Sequence, residues 1–105
     1  MLDYYIAKIA QINYKISIHP DDANTRLTSQ ADRILVVVPS VVPAQFREQF
    51  TSLIDLINVN YVNAQRLGVG LRPHKLSGIN KNAAAVYIKV LIDIEHSLEL
   101  ENGRP

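Results

Sequence analysis

The chain of 105 residues has no cysteine. Disulfides, thiolate chemistry and cysteine-based metal sites are thereby excluded, and a reducing compartment suits it. It also lacks a dominant charge: eleven Lys and Arg against ten Asp and Glu leave +1. No global field steers such a chain toward nucleic acid or an anionic membrane. Long apolar runs are missing too. The longest, Ile34 to Val42, is broken by Pro39 and Ser40, far short of the about 20 residues that span a membrane. Asp3 stands where a secretory signal is basic, and Asn13 and Lys15 interrupt the apolar stretch behind it. These absences lead to the expectation of a soluble, cytoplasmic protein with no membrane partner.

Catalytic signatures are absent as well. His19, His74 and His96 are widely spaced, with no His-Glu-x-x-His pattern, so no metal site is expected. Glu95 and His96 are adjacent and diverge on a helix. None of the serines lies on a nucleophile elbow. Gly68-Val69-Gly70 lacks the third glycine of a dinucleotide fingerprint and comes after a helical pattern, and no Gly-Lys-Ser or Gly-Lys-Thr completes a Walker loop. The expectation is a protein without catalysis and without a cofactor.

What is present is an apolar chain, 48% hydrophobic and 20% charged, which excludes a disordered tail. Surface scaling gives about 6,000 Å² folded against roughly 17,000 Å² unfolded, a modest core that leaves self-association open. Residues 1–105 read as one domain. Leu2, Tyr5, Ile6, Ile9, Ile12 and Ile16 recur at threes and fours, predicting a first helix. Asn13 falls on the same stripe. His19-Pro20 ends this element, and Asp21 or Asp22 can cap the next, whose face is Ala23, Leu27, Ala31, Ile34 and Val38. Pro39 stops it, and Ser40 can cap the helix after it, with Pro43 in the first turn.

Phe46, Phe50, Leu53, Ile54, Ile57 and Tyr61 then share the face of a long helix from Pro43 to Leu67, with a bend expected near Asn58–Asn60. Asn80 can cap a last helix with Ala84, Ile88, Leu91 and Leu98 on one stripe. Residues 100–105 should fray. The fold expected is all-α, a compact three- or four-helix bundle with a long glycine-containing loop over 68–80 before the last helix. The alternative is α+β, with short strands near 12–18 and 34–38 where β-branched residues gather.

Two surfaces are candidates for function. The basic loop 66–81 holds Arg66, Arg72, His74, Lys75 and Lys81, and its segment 68–81 carries +3 while the rest of the chain sums to −2. Glycine-rich basic loops hold phosphate, so nucleic-acid or phosphate binding is the alternative function. The connector reading has Leu71, Leu76 and Ile79 packing the loop down. A helix-turn-helix needs a tight turn between short helices; the loop is too long, and a break after Thr28 has no glycine to mark it. The second surface is apolar: Tyr4, Val36, Val37 and Val41, with Val42, Val59 and Val62, exceed what so small a chain hides comfortably. Tyr4 and Tyr14 point away from the first stripe. The function favoured is a helical protein-interaction module, self-associating or bound to a protein partner. Glu95 falls inside the stripe of the last helix, so it is either a rim carboxylate or a buried polar contact, with Arg26, Arg33 or Arg66 as partner.

Overall fold

The computed structural model describes residues 2–66, 73 and 75–101, Leu2 and Arg66 by their backbone alone. Among the described residues five α-helices succeed one another: α1 (Leu2–Ile18), α2 (Ala23–Thr28), α3 (Ala31–Val36), α4 (Ala44–Arg66) and α5 (Lys81–Glu101), with a 3-10 turn over Pro39–Val41. The architecture is the all-α bundle, and no strand occurs among the described residues. α5 is its hub, packing on α1, α2 and α4. The total surface is 6341 Å², close to the about 5,900 Å² expected for a folded chain of this mass.

The isoleucine stripe of α1 explains the first contact. Ile6, Ile9, Ile12 and Ile16 are all buried because their spacing brings them to one side of the helix. Each contributes about 1.5–3 kcal/mol by leaving water. They meet Leu27, Ala31 and Ile34 from α2 and α3, Phe50, Leu53 and Ile57 from α4, and Leu91, Ile94 and Leu98 from α5. The strand reading of 12–18 fails here: a strand would set Tyr14 and Ile18 on the same face as Ile12 and Ile16, yet the first two are exposed and the last two buried, as a helix continuing to Ile18 places them.

The stretch predicted as one second helix is two. α2 is capped by Asp22, whose Oδ1 accepts from the Thr25 amide at 2.9 Å. It ends at Thr28 without a glycine: the Ser29 amide still reaches the Thr25 carbonyl at 3.0 Å, but the Gln30 amide turns to the Leu27 carbonyl, three residues back, at 3.1 Å. The Thr28 hydroxyl donates to the Asn24 carbonyl at 2.7 Å and Ser29 to that of Arg26 at 2.6 Å. α3 then runs only to Val36. Val37 and Val38 are extended (ψ 123 and 125), as the residue before Pro39 must be. Extended backbone alternates its side chains, so Val37 points inward and Val38 outward. The 34–38 region is thus half helix and half extended, with no partner strand.

Ser40 lies in the 3-10 turn and caps nothing; Arg47 instead reaches back, its Nη2 donating to the Val42 carbonyl at 2.9 Å. α4 runs 23 residues without the expected break; the Asn60 side chain bonds back to the Leu56 carbonyl at 2.9 Å within the helix and lies on its buried side with Phe50, Leu53 and Ile57. Asn80 caps α5, its Oδ1 accepting from the Ala83 amide at 2.8 Å.

Candidate functional site

The connector between α4 and α5 spans 67–80, and its described half is fastened rather than free. Asn24, buried on α2, meets Leu76 at both ends of its side-chain amide. Its Nδ2 donates to the Leu76 carbonyl at 3.0 Å, and its Oδ1 accepts from the Leu76 amide at 2.9 Å. Asn60, buried on α4, does the same to the next residue: the Ser77 amide donates to Oδ1 at 2.7 Å, and Nδ2 reaches the Ser77 carbonyl at 3.2 Å. Two helices thereby grip consecutive residues, each pairing one residue's N–H and C=O as a neighbouring strand does. The Leu76 side chain is in the core and Ile79 packs against it. Gly78 turns the chain with φ +94, in the left-handed region that glycine adopts without strain.

Lys75 is drawn into this arrangement. Its Nζ lies 2.8 Å from Asp22 Oδ2, so one carboxylate caps α2 and anchors the connector. The Lys75 ammonium, followed by the Thr25 amide, holds the Asp22 carboxyl well below the usual carboxylate range, and Asp22 raises the Lys75 pKa in return. Both side chains are about half exposed, so salt screens the pair. Of the other basic residues named for this loop, Lys81 is exposed at the start of α5, while Arg72, His74 and the Arg66 side chain lie outside the described residues, as does Leu71.

Glu95 is half buried rather than enclosed, and its partner is not an arginine. Asn13 Nδ2 donates to Glu95 Oε1 at 2.8 Å and to the Leu91 carbonyl at 3.0 Å. Arg26 turns to the Ile16 carbonyl and Arg33 to Gln30 instead. The two polar residues that interrupt the stripes of α1 and α5 have found one another. Asn13 Oδ1 is left buried without a partner.

The apolar surface set divides. Val37 and Val42 are core residues, 2% and 0% exposed, because the extended backbone around Pro39 turns them inward; neither lines an outer face. Val41 is partly covered. Tyr4, Val36, Val59 and Val62 do stand outside. Sequence reasoning passed over Ile18, although its place beyond the inner stripe of α1 was readable from the same spacing.

Shallow depressions occur among the described residues. One of ≈ 380 Å³ lies between α1 and α3 and is lined by Lys8, Ser29, Asp32, Arg33 and Val36. Ser29 there donates to a backbone carbonyl, and Asp32 accepts from the Tyr61 hydroxyl at 2.8 Å, so neither forms a nucleophile–base pair. A second, of ≈ 330 Å³ between α4 and α5, has Glu48 as its only titratable carboxylate. A third, ≈ 440 Å³, lies on α1 between Tyr4, Ala7, Lys8 and Gln11. No group of three His, Asp or Glu side chains suited to a metal occurs among the described residues, and no helix there is long and apolar enough to cross a membrane. No family model, curated protein or solved structure matches the chain.

Proposed function

We propose that this chain is a small, non-catalytic helical protein-interaction module that works by self-association. The observation that supports it is the grouping of large apolar side chains outside a core that is otherwise closed. Tyr14 and Ile18 are 63% and 61% exposed one turn apart on α1, and Val59 and Val62 are 56% and 46% exposed one turn apart on α4. Single exposed apolar residues are ordinary, but paired ones on a helix face mark contact surfaces. A two-fold dimer covers such a face with its own copy and needs no second gene product. A cytoplasmic setting fits a chain without cysteine.

Sedimentation equilibrium from about 1 to about 100 µM spans the affinities expected of a modest interface. The expected result is a mass that rises with concentration from 11.8 kDa toward twice that value. A single mass of 11.8 kDa throughout would overturn the reading.

A further inference from the structure

We propose that the outward face of α1 is the contact between two copies of this chain, with the two α1 helices side by side, parallel and in register. This rests on the self-association reading above and gives it a surface and an orientation. Tyr4, Ala7, Gln11, Tyr14 and Ile18 succeed one another at intervals of three, four, three and four. That is the 3.5-residue repeat of a helix–helix seam. All five are exposed, while Ile9 and Ile16, on the opposite side of the helix, are buried. α1 therefore has two stripes: an isoleucine stripe that its own chain covers, and a second stripe left exposed.

The chemistry of that second stripe is wrong for a solvated face. A solvent-facing helix side normally carries charges along its middle, yet none of these five residues is charged. The charges stand at its borders, Lys8 and Lys15 along one edge and Asp3 at the other. The groove of ≈ 440 Å³ on α1 has Tyr4, Ala7, Lys8 and Gln11 as its walls. They are spaced i, i+3, i+4 and i+7, the four positions that enclose a hole for a knob from a facing helix. Ala7 keeps the hole open because its side chain is one methyl.

The border charges choose the orientation. In a parallel, in-register pair each edge meets the opposite edge of the other copy, offset by five residues. Asp3 then faces Lys8 of the second copy, and symmetry repeats the pair. In an antiparallel pair the lysine edges meet, setting Lys8 near Lys15 of the second copy, again twice. Attraction against repulsion favours the parallel form. Lys8 Nζ already stands over the Tyr4 ring, 5.5 Å from its centroid, at the border of the seam. Gln11, in the middle of the five, is the polar seam residue that fixes register. The 17 residues of α1 give about 25 Å of contact, too short for an isolated coiled coil. α1, however, is already held helical by its core face. A contact this short belongs at the small end of the range of specific interfaces.

The test uses the full chain. Tyr14→Lys with Ile18→Lys changes two exposed residues and leaves the core intact; it is expected to weaken dimerisation by at least about tenfold with an unchanged helical circular dichroism spectrum. Lys8→Glu alone should weaken the dimer by a factor of about 3 or more, and adding Asp3→Lys should restore it. Because the chain has no cysteine, Ala7→Cys reports orientation: the parallel seam links Cys to Cys across the two-fold axis under mild oxidation. A wild-type chain that stays monomeric overturns this proposal and the self-association reading together, and one that stays monomeric but binds anionic vesicles replaces the second copy with a lipid surface. A dimer unaffected by Tyr14→Lys with Ile18→Lys leaves self-association standing and removes this seam. An Ala7→Cys chain that links only to a Tyr14→Cys chain overturns the parallel orientation.

Discussion

Asn24 and Asn60 sit on helix faces that turn inward, and so does Asn13, yet the first two are used differently from the third. In Asn24 and Asn60 both ends of the amide meet a single loop residue, N–H against oxygen and C=O against nitrogen. In Asn13 only the donor end is used, by the Leu91 carbonyl and by Glu95, and the oxygen is buried unpaired. A side-chain amide matched at both ends dictates where a segment of backbone lies. One matched at a single end decorates a contact that the surrounding isoleucines already define. The difference separates the polar residues that build the fold from one that the fold tolerates.

The sharpest way to break this comparison is Asn24→Ala. It strips partners from the amide and carbonyl of Leu76, whose side chain is in the core, and unpaired buried groups cost about 1–3 kcal/mol each. A loss of about 2–4 kcal/mol in urea unfolding is expected, together with lost hydrogen-exchange protection at the Leu76 amide. A loss below about 1 kcal/mol would place Asn24 in the same class as Asn13. Asn60→Ala should cost less, about 1–2 kcal/mol, because Ser77 is exposed and water can replace the lost amide. Gly78→Ala comes next at about 1 kcal/mol. The space is adequate, since an added Cβ lies 3.5 Å from Leu56 Cδ1, so the cost is the backbone conformation at φ +94. If Gly78→Ala exceeds Asn60→Ala in the same melts, the turn rather than the clamp sets the connector.

How far these roles are legible in the sequence depends on what each residue answers to. The isoleucine stripe of α1 and the Asn80 cap are local patterns, and both appear in the fold as their spacing implies. Asn13 and Glu95 are visible as polar residues on apolar stripes, but their pairing is not, because it depends on how α1 and α5 rotate against each other. Asn24 and Asn60 carry the same signal: each lies three residues from a core residue, Leu27 and Ile57. Their partners belong to a loop 52 and 17 residues away, and any backbone segment offers the same N–H and C=O. The valines around Pro39 mislead for a related reason. A proline shifts the period from helical to extended within two residues, and the side that Val37 faces changes with it.

The Asp22–Lys75 pair adds an electrostatic strand to the same connector, with a smaller expected effect. Because the carboxyl is held below its ordinary value of 3.8 in the folded chain, its stabilisation is present above that value. It is lost as pH falls below about 4 and on through the lowered folded value, where the carboxylate is finally protonated. Asp22→Asn retains a capping oxygen but no longer titrates, so its stability should fall less steeply than that of the wild type between about pH 4 and about pH 2. Parallel losses in the two proteins would mean that other carboxylates carry the acid response. High salt should shrink the difference at neutral pH, since both side chains are half exposed.

Asn13→Leu should have the smallest effect, and it is the substitution that tests the other half of the comparison. The Leu91 carbonyl lies within α5 and keeps its own helical amide when Asn13 is removed. Glu95 is partly exposed and can turn to water. Leucine removes the buried, unpaired Oδ1 and adds apolar surface beside Ile9, Ile12 and Ile16. The expected change lies between zero and about 1 kcal/mol of added stability, because replacing a poorly satisfied polar contact with a well-packed apolar one is neutral or better. Asn24→Leu, with the same change in side chain, should cost at least about 2 kcal/mol, since it strands two backbone groups in the core. The same substitution therefore gives opposite signs at two inward-facing helix positions if the amide's second end is what matters. A loss above about 1 kcal/mol for Asn13→Leu would show that its single-ended contact with Glu95 and Leu91 orients α1 on α5 after all.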